Sequence, residues 1–329
     1  TDTHVAYNGS FVTTATAGEK STVRVQTEIE GPQQENVKVI YEILDHKGHR
    51  LASSEASYAD GSANGELELK GARPWSLEDP YLYTLRTELY SGDTLKDRYD
   101  TRFGIRSISW DKDKGFFLNG KNVKMLGVCM HHDMGCIGTA VHRRALERQL
   151  EKLKSMGVNA IRTSHNPPAP ELLDLCDEMG FLVMDEAMDM WRKRKTRYDY
   201  ARFFDEWHRA DIQDFIKRDR NHPSVVMWSI GNEILEQSDS KSDIIENLSA
   251  EEANTLLNFI HSLGQSDSNE NNPNIVLTRH LAGLVRELDT TRAITAGCNG
   301  VWPGNNLLRS GALDVYGFNY HPHLYDSCR

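Results

Sequence analysis

A glutamate that directly follows an asparagine at the end of a buried strand can carry a proton. Residues 219–233 supply that arrangement: Asp219-Arg-Asn-His-Pro-Ser-Val-Val-Met-Trp-Ser-Ile-Gly-Asn-Glu233. The stretch opens like the polar end of a helix, turns at His222-Pro223, and runs apolar from Val225 to Ile230 before stopping on Gly-Asn-Glu. A short apolar run of this kind reads as a strand covered on both faces, as in a parallel sheet. Its carboxyl end delivers an amide, Asn232, and a carboxylate, Glu233, side by side. A carboxylate beside a low-dielectric core can have its pKa raised and act as a proton donor near neutral pH. Glu233 could equally cap the helix that follows, and the pattern alone leaves both readings open.

Similar groups follow other apolar runs. His131, His132 and Asp133 come after one, Ser164, His165 and Asn166 after the next, and Asp185, Glu186, Asp189 and Trp191 after a third. Asn319, Tyr320, His321 and His323 end the last. The elements that must position them follow from periodicity. From residue 123 apolar runs alternate with amphipathic segments, the pattern of β/α units. Strands are expected at 123–128, 158–163, 181–184, 225–230, 293–296 and 315–319. Helices between them carry Leu146, Leu150, Leu153 and Met156, then Leu172, Leu173, Cys176 and Met179. Later ones carry Phe204, Trp207, Ile212, Phe215 and Ile216, and then Leu277, Leu281, Leu284 and Leu288. Gly157 and Gly180 stop the first two. A polar excursion, 238–274, reads as an insertion with a helical piece at 250–263. Six β/α units are two short of the eight that close a (β/α)8 TIM barrel, whose catalytic groups sit at the carboxyl ends of its strands.

Residues 1–109 read differently. Val23, Val25, Thr27 and Ile29 alternate with polar neighbours, as do Val37, Val39, Tyr41 and Ile43, and then Tyr81, Tyr83, Leu85, Thr87 and Leu89. This period of two, broken by Gly- and Asn-rich turns, predicts an immunoglobulin-like β-sandwich. The division is expected at the Phe103-Gly-Ile-Arg106 and Gly115-to-Gly120 hinge, giving 1–109 as sandwich and 110–329 as a truncated barrel.

The totals exclude several classes. The chain has 329 residues, 39% hydrophobic and 26% charged, with a net charge of −10. An acidic chain lacks the basic footprint that nucleic acid requires. No apolar run reaches membrane-spanning length, and nothing argues for a membrane. Compartment is left open, because the chain starts at Thr1 and shows no signal peptide. Five cysteines, sparse and odd in number, show no C-x-x-C spacing. The Asn8 and Asn247 sequons carry no weight without a secretory context.

As a whole, the 219–233 run resembles the acid/base signature of glycoside hydrolase family 2, which contains β-galactosidases, β-glucuronidases and β-mannosidases. A second long motif, Asn159-Ala-Ile-Arg162-Thr-Ser-His165-Asn-Pro167, resembles the family's other signature, and Pro74 to Leu85 resembles its sandwich domain. Gly127-Val-Cys-Met-His131-His132-Asp133 is similar to the family's first barrel strand, with one His more than usual, so which imidazole points inward stays open. Asn166 stands where the family usually has Tyr, which bears on substrate preference.

The resemblance implies a retaining exo-β-glycosidase acting on a β-glycoside or oligosaccharide, β-galactosidase first and β-glucuronidase second. It makes Glu233 the general acid/base and has Asn232 bind the hydroxyl next to the anomeric carbon. His165 with His131 or His132 and Asp133 would contact the sugar. Arg162 would hold carboxylates from below, and Tyr320 matches the tyrosine that hydrogen-bonds the nucleophile. Retaining chemistry needs a second carboxylate about 5–5.5 Å away, and in this family it ends a seventh strand. The sequence therefore reads as a fragment without that strand and without the family's N-terminal sugar-binding domain. Exposed sheet edges then predict self-association into a homo-oligomer. Met190 and Arg192 occupy the positions where some members bind a cation, and both are poor ligands for a hard ion. No metal and no other cofactor is expected.

Two readings compete. His321-Pro-His323 with His131-His132 suggests a metal-dependent barrel hydrolase, but that chemistry wants the His-x-His pair on the first strand. A barrel that keeps sugar affinity without catalysis, a carbohydrate-binding fragment, is the other. The run Arg192-Lys-Arg-Lys195 could receive a uronate, but reads first as a solvated face.

Overall fold

The computed structural model describes residues 2–17, 19–32, 37–59, 61–239 and 270–324. The helical piece expected at 250–263 lies outside the described residues, as do Asn247 and Cys328.

The amino-terminal part is one seven-stranded antiparallel sheet folded into two layers: β1 (His4–Ala17), β2 (Lys20–Glu30), β3 (Val37–Leu44), β4 (Arg50–Ala59), β5 (Ser62–Lys70), β6 (Tyr83–Ser91) and β7 (Thr94–Phe103). Their order is β1-β2-β5-β4-β3-β6-β7. β4 turns the corner, pairing with β3 along most of its length and with β5 only at Tyr58↔Ala63 and Ala59↔Ser62. The alternating residues of both layers meet in one core, Val23, Val25, Tyr41, Ile43, Leu85 and Leu89 among them. Gly65 is required there, because a Cβ on it would lie 2.4 Å from the Tyr41 ring. The Tyr41 hydroxyl donates to the Ala63 carbonyl at 3.0 Å, so its burial leaves no unmet polar group.

A small sheet follows, β8 (Ile108–Asp111), β9 (Gly115–Leu118) and β10 (Lys121–Asn122). The expected division between 109 and 110 falls within β8. Six parallel strands come next, in sequence order: β11 (Gly127–His131), β12 (Ala160–Ser164), β13 (Leu182–Glu186), β14 (Val225–Asn232), β15 (Ala293–Cys298) and β16 (Gly317–Phe318). Helices α1 (Arg143–Ser155), α2 (Pro170–Met179), α3 (Ala201–Asp219), α4 (Pro273–Leu288) and α5 (Asn306–Arg309) connect or flank them. The architecture is a β-sandwich joined to an incomplete β/α barrel. Among the described residues β11 and β16 are the open edges. No described helix is long and apolar enough to cross a membrane.

Three local expectations are corrected. The first barrel strand begins at Gly127 rather than residue 123, because the Asn159 side chain captures the preceding segment through the Leu126 N–H at 2.8 Å and the Lys124 carbonyl at 3.0 Å. Trp207 is 48% exposed. At about 100° per residue it sits opposite Ile216 on α3, outside the buried arc. Met156 is 76% exposed, since α1 ends at Ser155 and leaves it as the cap.

The junction decides which end of the barrel is free. Trp75 of the sandwich and Phe116 and Leu118 of β9 pack against Ala160, Leu182 and Val226, at the amino ends of three barrel strands. Trp75 Nε1 donates to the Asp177 carbonyl at 2.9 Å. Asn221 binds β1 twice, accepting from the Val12 N–H at 2.9 Å and donating to the Ser10 carbonyl at 2.7 Å. The sandwich thus plugs the amino end and leaves the carboxyl ends open.

Below the plug, His222 Nδ1 lies 2.6 Å from an Asp177 carboxylate oxygen, and the other oxygen accepts from the Ser224 N–H. Burial pulls the imidazole pKa down, but the Asp177 charge and hydrogen bond outweigh it and leave the pKa above the ordinary 6.5. A raised folded-state pKa contributes stability that is full below the unfolded value and is lost as pH rises through the folded one. The melting temperature of the unaltered chain, relative to His222→Gln, should therefore fall as pH rises from about 6 upward; a difference that grows with pH would contradict the pairing.

Candidate active site

Strand alternation sends Asp185 and Glu186 to opposite faces of β13. Glu186 faces the barrel interior and is fully buried. One oxygen accepts from Arg162 Nε (2.9 Å), Arg162 Nη2 (2.7 Å) and Ser229 Oγ (2.6 Å), and the other lies 2.6 Å from His165 Nδ1. Asp185 faces the helices. Burial and then the Asp219 carboxylate push its pKa well above the usual range, against the pull of Arg218 and the Thr163 hydroxyl. Asp185 therefore stands outside the site.

Arg162 links Glu186 to the acid-bearing strand, because its Nη2 also donates to Asn232 Oδ1 at 2.8 Å. Arginine can only donate, so the amide oxygen of Asn232 must face it and the amide nitrogen must face away. That nitrogen donates to Asp189 Oδ1 at 2.8 Å. Lys195 Nζ closes the ring, donating to Asp189 Oδ1 and to the Asn232 carbonyl, both at 2.7 Å. Burial raises the Asp189 pKa, but Lys195 and the Asn232 amide more than reverse this and hold it below the usual value. Two glycines make room: a Cβ on Gly297 would lie 2.5 Å from Arg162 Nη2, and one on Gly231 would lie 2.9 Å from Trp191 Nε1.

Glu233 leaves the strand with φ of 43°, in the left-handed region that a non-glycine residue rarely occupies. Its N–H donates to the Gly297 carbonyl at 2.6 Å, and Oε1 accepts from Asn319 Nδ2 at 2.6 Å. Asn319 also reaches Asn232 Oδ1 at 3.1 Å, so one amide ties the two site residues together. Tyr320 has φ of 66° and is 78% exposed. Partial loss of hydration and then the neighbouring Glu233 carboxylate push its phenol pKa up.

The ring of His131 stands perpendicular to that of His165, with centroids 5.2 Å apart. His132 turns to its own loop, Nε2 lying 2.9 Å from the Thr139 carbonyl, and Asp133 accepts from the Gly135 N–H at 2.6 Å. The structure thus gathers Arg162, His165, Asn232 and Glu233, with His131 and Tyr320 beside them, while His132 and Asp133 make loop contacts. A cleft of about 650 Å3 beside the network has His165 and Asp189 in its wall with Tyr200, Asp211 and Phe215, but neither Asn232 nor Glu233. His321 Nε2 lies 2.9 Å from the Asn299 carbonyl. Among the described residues no three His, Cys, Asp or Glu side chains converge as a metal site would require.

Sequence reasoning placed Glu186, Asp189 and Asn319 only among the polar groups that follow strands, and Lys195 only in a basic run read first as a solvated face. The solvated-face reading of 192–195 is corrected at Lys195, whose ammonium points into the network. A basic residue six positions after an acid that follows a strand was the available signal, and the adjoining charges masked it. Removing one member of a buried ion pair strands the other. Arg162→Met should therefore cost about 3–5 kcal/mol of stability, read as a lower urea midpoint; an unchanged midpoint would contradict the coupling.

Comparison with known proteins accords with this geometry. Residues 3–106 match the family model described as "Glycosyl hydrolases family 2", and residues 111–325 match "Glycosyl hydrolases family 2, TIM barrel domain". The chain is 53% identical to the β-galactosidase BoGH2A of Bacteroides ovatus, over 97% of this chain and 38% of that protein. It is 41% identical to a putative β-glucuronidase of Formosa agariphila, over 70% of this chain and 22% of that protein. A crystal structure of a family 2 member from Bacteroides cellulosilyticus superimposes with a TM-score of 0.83 at 36% identity, covering 99% of this chain and 39% of that one. The chain therefore spans well under half the length of these relatives. With both parts matched along nearly their whole extent, this chain belongs to glycosyl hydrolase family 2.

Proposed function

We propose that the chain carries the acid/base half of a retaining exo-β-glycosidase site, and that the sugar removed is a terminal β-linked galactose. The observation that carries the reading is Glu233, presented at the end of β14 with one oxygen on Asn319 and its neighbour Asn232 fixed on four sides. In the first step the Glu233 carboxyl group gives its proton to the departing glycosidic oxygen while a second carboxylate attacks the anomeric carbon. In the second step the Glu233 carboxylate takes a proton from the water that displaces the enzyme from the sugar. Asn232, His165 and His131 would hold the sugar hydroxyls, and Tyr320 would steer the carboxylates. His132 and Asp133 would shape the rim of the site through their loop.

We infer that none of the carboxylates nearest the network serves as the nucleophile. Glu186 is saturated by Arg162, Ser229 and His165, Asp189 is held by Lys195, and Asp185 faces the helices. We assign the nucleophile to a strand beyond the six described here. The choice of galactose rests on the 53% identical relative, which is named a β-galactosidase. A uronate reading needs an unengaged cation near the sugar, and Lys195 is already committed to Asp189 and Asn232. The 329-residue chain alone should release no nitrophenol from a chromogenic β-galactoside above the buffer rate. Efficient release, abolished by Glu233→Gln, would overturn the assignment of the second carboxylate.

A further inference from the structure

A second crevice, about 290 Å3, lies at the opposite end of the barrel from Glu233. Its walls are β1, the segment joining β7 to β8, the 220–223 turn, and Thr291-Arg292 just before β15. Three guanidinium groups line it, and they are not equally matched. Arg292 is fully engaged: Nη1 donates to Asp289 at 2.7 Å, and its other nitrogens donate to the carbonyls of Val225, Arg220 and His222. Among the described residues the Arg106 guanidinium donates only to carbonyls, Pro223 at 2.6 Å and Val225 at 2.7 Å. Arg220 stacks on the Phe11 ring, 4.6 Å from its centroid, and makes two long hydrogen bonds, with the Leu288 carbonyl at 3.4 Å and the Asn8 carbonyl at 3.3 Å. Its Nε has no partner among the described residues, although Arg220 is only 4% exposed.

Among the described residues no carboxylate lines this crevice, and those whose charge reaches Arg106 and Arg220 already have partners. Asp289 is held by Arg292, Thr291 and Trp228, Asp177 by His222 and Ser224, and Glu28 by Lys217 at 2.7 Å. Burial, and after it the neighbouring Arg292, pushes the Arg106 pKa down to about 9, with Asp289 and Asp177 failing to offset them. Burial likewise lowers Arg220, against the pull of the Glu28 and Asp289 charges. A buried guanidinium with an unmet donor and no carboxylate bonded to it is costly unless an anion completes it. Arginine's planar set of donors suits an oxyanion, and Thr13, Thr16 and Ser107 are among the residues that line the same space.

We propose that this crevice is an oxyanion-binding site, in which Arg106 and Arg220 receive a doubly charged tetrahedral group, sulfate or phosphate, free or borne on a small molecule. The site ties the sandwich to the barrel, since its ligand would bridge a residue from each. It is independent of the glycosidase reading, and the 329-residue chain suffices to test it. Sodium sulfate and sodium phosphate would be titrated into the chain by calorimetry at constant ionic strength, with sodium chloride as control. One saturable site is expected, weakened about tenfold or more in Arg220→Gln, the loss of one charge-assisted hydrogen bond. Because that variant could perturb packing, the 15N resonances of the arginine Nε–H groups would be followed in the unaltered chain. Those of Arg220 and Arg106 should shift along the calorimetric saturation curve. A sugar sulfate that competes for the same resonances identifies a group carried on a small molecule, and inorganic ions alone identify a free ion. Responses no different from chloride, or saturation that leaves both resonances unmoved, would overturn the proposal.

Discussion

The bond between Arg162 and Glu186 is the constraint on which the site depends. Both side chains project from neighbouring parallel strands into the barrel interior, where the carboxylate has lost its water entirely. A carboxylate in that position must be neutralised or paired. Arg162 pairs it, and the geometry of the guanidinium then dictates the rest. Its remaining reach falls on Asn232, whose amide is forced into one orientation, and Asp189, Lys195 and Asn319 follow from that orientation. Positional accuracy at Glu233 is bought through this lattice, with the strained φ at that residue held by the Gly297 and Asn319 bonds on either side.

The division of labour between the two ends of the barrel follows from burial. Trp75, Phe116 and Leu118 cover apolar strand starts, where apolar contact is favourable in proportion to area. Strand ends carry polar groups that would be costly to cover. The sandwich therefore docks at one end and the chemistry is left at the other, in keeping with the rule for barrels. The same docking brings three arginines together at the seam, and among the described residues two of them make no hydrogen bond to a carboxylate.

Much of this was legible in the sequence because alternation and apolar runs report burial directly. The six strands, the sandwich, and Arg162, His165, Asn232 and Glu233 were found that way or through the long motifs they sit in. Choices between neighbours were not legible. Period-two alternation states that Asp185 and Glu186 face opposite ways, but only packing tells which faces inward. His131 and His132 posed the same choice; in the structure His132 lies against the Thr139 carbonyl and His131 against the His165 ring. Lys195 was hidden in a run of four basic residues, since charge patterning cannot tell a solvated ammonium from one folded back onto a strand end. Trp207 misled because helical period fixes spacing, and not where the buried arc ends.

The central claim is that Glu233 is the proton donor to the leaving group. It is tested most directly by comparing leaving groups in Glu233→Gln, made in the enzyme whose barrel is complete. An alkoxide leaving group needs the proton, whereas a strongly acidic phenol departs without it. The account predicts that glycosylation by the variant collapses for an alkyl β-galactoside and is largely preserved for a dinitrophenyl β-galactoside. Equal losses for the two substrates would contradict it.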